Sequence, residues 1–211
     1  MIFEDRLDAG RRLAAACAQY RGRWPRAIVL GIPRGGVPVA VPVAQALNAP
    51  LDVILVRKLG FPRNEEVAMG AIGEGVRVLD DGLIRIMGVT DDELERVEDR
   101  EQRELERRVR SYREGRHPLE LGGTTAVIVD DGLATGSTAR AACAVVRAKG
   151  AASVVLAVPV APPDWEPQPG VDADTFVCVA RPHGFFAIGQ WYHDFTQTTD
   201  AEVRAALDAA G

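Results

Sequence analysis

The amino-acid sequence predicts an α/β fold, an open, mostly parallel β-sheet with helices on both faces. Short, wholly apolar runs recur along the chain, as expected for strands that a parallel sheet buries on both faces. Alanine-rich segments separate several of these runs, and this alternation is typical of right-handed crossovers between parallel strands. Glycines, arginines or aspartates follow several of the runs, at the sheet edge where such folds bind ligands.

The bulk composition limits the classes of function. The chain has 211 residues, 47% of them hydrophobic and 26% charged, and a single domain over residues 1–211 is expected. Its net charge of −5 leaves no basic surplus, so no nucleic-acid partner is expected. No signal peptide and no run of ~20 apolar residues is visible, so we expect a cytoplasmic protein without a membrane span.

The cysteines and histidines predict neither a disulfide framework nor a zinc site. The three cysteines are far apart and lie in apolar stretches, so buried free thiols are expected: Cys17, Cys143 and Cys178. The three histidines lack metal-ligand spacing, and packing or surface roles are favoured over contact with a base: His117, His183 and His193.

The first half of the chain predicts two helices and two strands. Residues 5–20 have the apolar spacing of an amphipathic helix, and Ala27–Leu30 is a buried strand that stops at a glycine. The alanine-rich stretch Val39–Leu47 predicts the second helix. Pro42 lies inside that stretch, so the helix either kinks there or begins later. Val53–Val56 predicts the second strand.

The second half continues the alternation after a long charged segment. Strands are predicted at Val127–Val129, Val154–Val158 and Phe176–Val179, with a helix over Thr138–Lys149. A proline-rich stretch, Ala161–Gly170, predicts a loop and not a domain linker.

Residues 90–115 predict a long, exposed helix that rests on the domain along one edge. Thr90 and Glu93 form a capping box, and acid-before-base pairs recur at i,i+4. The apolar seam is narrow: Leu94, Val97, Leu105, Val109 and Tyr112. A solvated surface helix is the simplest interpretation, and a dimer contact or a brace for a mobile loop are the alternatives.

The strongest functional signal is the segment Val127–Thr138. Its apolar strand delivers two adjacent carboxylates, Asp130 and Asp131, to the sheet edge. Glycines then let the chain turn, and the next helix points its free N–H groups and positive dipole end into the loop, as in a phosphate cradle. The spacing differs from that of a P-loop, and neither GxGxxG nor GxSxG is present.

This segment resembles the signature with which type I phosphoribosyltransferases bind phosphoribosyl pyrophosphate. The resemblance implies that Asp130 and Asp131 contact the ribose hydroxyls, directly or through Mg²⁺. It also implies which residues hold the 5′-phosphate: Ala134, Thr135, Gly136, Ser137 and Thr138. Gly132 stands where larger residues are more usual in the family.

Two further strand ends agree with the resemblance. The family places its pyrophosphate-binding loop where Gly31–Gly36 follows the first predicted strand. The glycines, Gly35 and Gly36 among them, allow backbone N–H groups to approach an anion, and Arg34 can pair with it bidentately. Arg57 and Lys58 follow the next strand and can reach the same pyrophosphate. The glycine-rich stretch Leu59–Gly75 permits a mobile lid, which the family has in this region.

The segment Arg181–Thr196 is rich in aromatic residues and is either a base-stacking hood or a packing seam. Its portion Phe186–Phe195 resembles the hood of 6-oxopurine enzymes, although it is one residue longer before the aspartate. By that resemblance three residues would meet the base: Phe186, Ile188 and Asp194.

The resemblance implies an enzyme that transfers a 5-phosphoribosyl group to a nitrogen acceptor, with a purine as the first choice. Asp130, Asp131 and Arg34 would be the catalytic residues, with Mg²⁺ and phosphoribosyl pyrophosphate bound and a homodimer as a further expectation. Replacing Asp131 by asparagine is expected to weaken magnesium and ribose binding without unfolding the chain. The alternative is a sensor that binds phosphoribosyl pyrophosphate and catalyses nothing.

Overall fold

The larger sheet of the molecule has five parallel strands. The computed structural model describes residues 2–168 and 170–210 of the chain. The five strands are β1 (Ala27–Gly31), β2 (Leu51–Val53), β6 (Thr125–Val129), β7 (Ser153–Val160) and β8 (Thr175–Ala180). Their order is β2-β1-β6-β7-β8, and every neighbouring pair is parallel. The predicted open parallel sheet is therefore confirmed.

Alternate residues of the central strands supply two separate cores, one on each face of the sheet. On one face Val127 and Val129 pack with the helices α1 (Arg6–Ala18), α2 (Gly36–Leu47) and α6 (Asp200–Ala210). On the other face Ala126 and Ile128 pack against α5 (Ser137–Ala148). Because both faces are covered, the strands are apolar throughout rather than alternating, as the sequence shows.

The second helix begins earlier than predicted and runs through its proline. Helix α2 starts at Gly36, so the alternative of a later start is wrong. Pro42 is buried inside the helix, where it has no N–H to donate to the carbonyl one turn earlier. The helix ends at Leu47 and is capped by Asn48, whose left-handed backbone lets its N–H reach the carbonyls of the last turn.

A second, antiparallel sheet was not predicted. It consists of β3 (Val56–Phe61), β4 (Asn64–Gly73) and β5 (Val76–Leu79). The predicted strand Val53–Val56 is therefore wrong as a single element, since β2 ends at Val53 and the chain passes to the other sheet. The sequence does not show where the chain leaves one sheet for the other, because the residues between the two sheets are also buried and the apolar run is continuous.

The stretch Leu59–Gly75, interpreted as a lid loop, lies largely in β3 and β4. Its glycines allow the backbones of neighbouring strands to lie close together. A Cβ built on Gly60 would lie 2.6 Å from the Glu65 carbonyl oxygen, and one on Gly70 would lie 2.4 Å from that of Val78. The same glycine content that suggested an irregular loop is thus compatible with paired strands.

The charged segment forms a short helix and a long one. Helix α3 spans Asp81–Ile86, and α4 spans Asp91–Tyr112, within the predicted 90–115. The capping box between Thr90 and Glu93 is confirmed. Helix α4 packs along β3 with Val97, Leu105 and Tyr112 buried. One charged residue, Glu101, is buried with them, and no feature of the sequence predicted this.

The aromatic C-terminal segment contacts the N-terminus of the chain. In the aromatic C-terminal segment a 3₁₀ helix, Ile188–Trp191, joins the N-terminus through a bridge between Phe3 and Tyr192. The described residues of Ala161–Gly170 form neither helix nor strand, and Pro169 lies outside the described part of the chain.

Cys17 and Cys143 are buried free thiols as predicted, and Cys178 is half-buried. Within the described residues no helix is both long and apolar enough to cross a membrane.

Candidate active site

The site is built where β6 ends and α5 begins. The strand stops at Val129, and Asp130 and Asp131 follow at the carboxyl end of the sheet. The backbone N–H of Asp131 donates to Asp130 Oδ1 at 2.9 Å. This bond fixes the first carboxylate, which is half-buried and lines a cavity, while the second is buried behind it.

The surroundings of the two carboxylates disfavour their negative charge when no cation is bound beside them. Burial raises the pKa of Asp130 well above its usual range, and the charge of Asp131 adds to the rise. Burial also raises the pKa of Asp131, against the opposing effect of the Arg6 guanidinium. A divalent cation beside Asp130 would relieve both effects.

Arg6 is a site residue that the sequence did not reveal. Its Nε donates to Asp131 Oδ2 at 2.8 Å, its Nη1 donates to the Thr196 carbonyl at 2.7 Å, and its guanidinium lies 4.0 Å from the Phe195 ring centre. The Tyr192 hydroxyl donates to the Asp131 carbonyl. Arg6 is far from the loop in sequence, and no local pattern connects the two. Replacing Asp131 therefore also removes the partner of a nearly buried arginine.

The glycine pair after β1 lies directly against the aspartates. A Cβ built on Gly35 would lie 2.0 Å from Asp131 Oδ2, and one on Gly36 would lie 2.5 Å from the Val129 carbonyl oxygen. Because glycine has no Cβ, this loop lies closer to the aspartates than it could with any other residue at these two positions. The structure brings the two loops that the sequence singled out to one place.

The loop 134–138 has the geometry of an anion cradle. Gly136 has a left-handed backbone (φ +79°) and caps α5. Ser137 N–H donates to Thr135 Oγ1 at 3.4 Å, and Ala134, Thr135 and Thr138 are exposed. The first N–H groups of α5 point toward this exposed loop because helix geometry leaves them without partners inside the helix.

A cavity of about 390 Å³ lies between the segment that follows β6 and the second sheet. Asp130 and Thr138 line one side of it. Lys58 and Arg57 line it from β3, and Lys58 Nζ lies 3.5 Å from Ser137 Oγ. The arginine is already paired: its Nη2 lies 2.6 Å from Glu101 Oε2. Three residues of α4 complete the wall, and none was predicted: Arg100, Glu101 and Arg108.

Arg34 lies on the far side of its loop. It lines a second cavity of about 320 Å³ with Tyr112, Thr198 and Asp200, and Pro33 borders both cavities. The guanidinium is 3.8 Å from the Asp200 carboxylate, beyond the range of a strong hydrogen bond. In this structure Arg34 and Lys58 therefore line different cavities.

The three residues predicted to meet the base, Phe186, Ile188 and Asp194, lie in different surroundings. Phe186 is 91% exposed. Ile188 packs on the aspartate loop, since a Cβ built on Gly132 would lie 2.6 Å from its Cγ2. Asp194 accepts the Thr196 N–H at 2.8 Å and lines a groove beside Arg6. A glycine at position 132 thus makes room for the hood.

The donor set suits a metal that is shared with a substrate. The described residues contain no cluster of three or more histidine, cysteine or carboxylate side chains that could hold a metal alone. Mg²⁺ commonly binds through one or two carboxylates together with substrate phosphates. Asp130, backed by Asp131, fits that role.

Comparisons with known proteins agree with this geometry. Residues 2–179 match the family described as the phosphoribosyl transferase domain. Two curated proteins of Mycobacterium tuberculosis, from strains CDC 1551 and H37Rv, are each 54% identical over 210 residues and carry the provisional name phosphoribosyl transferase. The match covers 99% of this chain and 47% of each relative, so the chain spans about half the length of the curated relatives it matches.

Solved structures give the same fold. The crystal structure of the protein TT1426 from Thermus thermophilus is similar over 100% of both chains, with a TM-score of 0.90 and 42% identity. A hypoxanthine-guanine phosphoribosyltransferase from Bacillus anthracis has a TM-score of 0.50 and 8% identity over 87% of this chain and 85% of its own. The second likeness concerns the fold alone.

Proposed function

The chain belongs to the phosphoribosyltransferase family, and from that premise we propose that it transfers the 5-phosphoribosyl group of phosphoribosyl pyrophosphate to a nitrogen acceptor, releasing pyrophosphate. One observation carries the proposal. The segment from Asp130 to Thr138 presents a carboxylate pair and a helix N-terminus side by side, at a cavity that Lys58 also lines. A ribose with a phosphate on its 5-oxygen matches this arrangement of acceptors and donors.

Each part of the loop has a proposed role. Asp130, backed by Asp131, would hold the ribose hydroxyls and Mg²⁺. When bound, the ion would neutralise charge that develops on the departing pyrophosphate. The residues of the 5′-phosphate loop donate their N–H and hydroxyl groups to the phosphate: Ala134, Thr135, Gly136, Ser137 and Thr138.

The pyrophosphate is proposed to lie between the Gly35–Gly36 loop and β3. Lys58 and Arg57 line the cavity there, and their positive charges stabilise the leaving group as the C1–oxygen bond breaks. Arg34 is 38% exposed and its guanidinium lies 3.8 Å from the Asp200 carboxylate, and it is proposed to turn toward the anion. The protein needs no covalent nucleophile, because positioning and charge neutralisation lower the barrier.

The acceptor is proposed to be a purine base, which would make the protein a salvage enzyme. The exposed ring of Phe186 offers a stacking surface, and Ile188 places the hood directly against the aspartate loop. The match to a 6-oxopurine hood is imperfect at Asp194, whose carboxylate is held by Thr196. The screen described below therefore includes pyrimidines and simple amines.

Calorimetric titration of phosphoribosyl pyrophosphate, with and without Mg²⁺, tests the site. We expect Mg²⁺-dependent binding that the Asp130→Asn variant weakens at least about tenfold, since it loses a charge-assisted contact. The Asp99→Asn variant is the matched control, because Asp99 is an exposed carboxylate on α4. Equal affinity of the Asp130→Asn variant and the wild type would show that the site is misplaced.

A screen of pyrophosphate release over purines, pyrimidines and simple amines on the same sample tests the reaction. Release with one base supports the transferase and identifies its acceptor. Binding of phosphoribosyl pyrophosphate without release for any acceptor favours a sensor instead. Absence of binding contradicts both functions.

A further inference from the structure

The indole N–H of Trp165 is a buried donor beside the 5′-phosphate loop. Trp165 is 8% exposed, and its Nε1 has no hydrogen-bond partner among the described residues. Leaving a buried N–H unpaired is costly, and native structures leave few such groups without a reason. The position of this donor indicates what its partner is.

The indole edge lies directly against the glycine of the anion cradle. A Cβ built on Gly136 would lie 2.4 Å from Trp165 Nε1 and 2.9 Å from its Cε2. Gly136 is the N-cap of α5 and has no side-chain cap hydrogen bond of its own. The unpaired N–H therefore lies at the helix N-terminus that the proposed function assigns to the phosphate.

The ring is held in this orientation by its neighbours. The Phe176 ring centre is 4.9 Å away at an interplanar angle of 57°, and the Arg140 guanidinium lies 5.6 Å from the indole centre. Arg140 is itself fixed to the buried Asp172, with Nε 3.2 Å from Oδ2. An indole packed in this way keeps its N–H aimed at the loop rather than turning to solvent.

We propose that Trp165 is a phosphate-binding residue: its indole N–H donates to an oxygen of the anion that the loop 134–138 holds. This inference rests on the proposed function and adds a donor that comes from outside the loop. Because Gly136 has no side chain, no Cβ stands between Nε1 and the loop that would hold the anion. The donor is neutral, so it adds affinity for the phosphate without changing the net charge of the site.

The test compares two tryptophan-to-phenylalanine variants by calorimetric titration with ribose 5-phosphate. Trp165→Phe keeps an aromatic ring and removes the N–H, and we expect the dissociation constant to rise about tenfold, as for loss of a hydrogen bond to a charged group. Trp24→Phe is the control, since Trp24 stacks on Tyr20 with ring centres 4.5 Å apart and precedes β1, at the opposite end of that strand from the Gly31–Gly36 loop. Its affinity is expected to equal that of the wild type.

A second measurement on the wild-type protein does not depend on the affinity of a variant. The indole ¹H–¹⁵N resonance of Trp165, assigned by its absence in Trp165→Phe, is expected to move downfield when ribose 5-phosphate is added and to stay in place when ribose is added. A resonance that does not move, or equal affinities of Trp165→Phe and wild type, overturns the inference. Equal losses in both variants overturn it as well.

Failure of the proposed function has a different outcome. In that case the wild-type protein binds neither phosphoribosyl pyrophosphate nor ribose 5-phosphate, and the inference falls with it. Binding by the wild type that Trp165→Phe retains in full removes the role of the indole and leaves the proposed function standing.

Discussion

At the scale of single residues, the two aspartates after β6 lie close together at a cost to stability. Asp130 is partly buried and lies close to Asp131, and both circumstances raise its pKa. Arg6 is the one cation among the interactions that shift these two pKa values. Such an arrangement is costly to stability, as is common at functional sites, and the proposed Mg²⁺ would relieve that cost.

Asp130→Asn is therefore expected to stabilise the metal-free protein at neutral pH. A carboxyl whose pKa rises on folding binds its proton more tightly in the folded state. The free energy of unfolding then falls as pH increases from the unfolded pKa, about 3.9, to the folded one. The wild type should lose stability over this interval, and the variant should lose less.

Urea unfolding in the presence of EDTA, at a series of pH values from about 4 upward, measures this difference. Parallel stability curves for the two proteins would contradict the assigned pKa direction. The Asp99→Asn variant provides the control for loss of a surface charge.

At the scale of elements, the site depends on how closely one loop approaches the next. The Gly35–Gly36 loop after β1 touches the aspartates after β6 without any side chain between them. Helix α4 closes the cavity from the side, and its buried Glu101 pairs with Arg57 of β3 and with the neighbouring Arg100. Position in the fold, more than residue type, makes these groups part of the site.

Gly35→Ala is expected to disturb this contact. The added methyl group would overlap Asp131 Oδ2, although the backbone of Gly35 (φ −63°) is one that alanine adopts readily. We expect the free energy of unfolding to fall by roughly 1–3 kcal/mol, as for overpacking, together with weaker binding of phosphoribosyl pyrophosphate.

The matched control is Gly122→Ala, because a Cβ at Gly122 meets nothing within 4 Å. Its unfolding free energy should stay within about 0.5 kcal/mol of the wild type. Equal effects of the two substitutions, measured by urea unfolding and calorimetry, would show that the close contact is unimportant.

At the scale of the whole molecule, one buried arginine links the two sheets. Arg113 follows α4 and is 8% exposed. It binds Asp52 of β2 through Nη1 at 2.5 Å and Glu74, between β4 and β5, through Nε at 2.8 Å. Because all three charged groups are nearly buried, this cluster is expected to fix the antiparallel sheet over the cavity.

Arg113→Met is expected to cost about 3 kcal/mol or more, since two buried carboxylates lose their common partner. Arg103→Met is the control, because Arg103 is 81% exposed and lies 4.0 Å from Asp99. Its effect should be below about 1 kcal/mol. Thermal unfolding of both variants gives the comparison, and similar melting temperatures would contradict a structural role for Arg113.

The sequence alone determined the parallel sheet, the long capped helix and the acidic loop that follows β6. Each of these depends on contiguous residues: an apolar run for a buried strand, Thr90 and Glu93 for a helix start, and Asp130 to Thr138 for the loop. Such patterns can be recognised because the physical cause, whether burial, capping or a helix N-terminus, acts over a few neighbouring positions.

Contacts between distant residues were decided only by the tertiary structure. Arg6 meets Asp131, Glu101 meets Arg57, and Trp165 lies against Gly136, yet no local pattern predicts any of these pairs. The antiparallel sheet escaped prediction for a related reason. Its glycines allow close strand approach, and whether a glycine serves a turn or a close contact depends on which backbone comes to lie beside it.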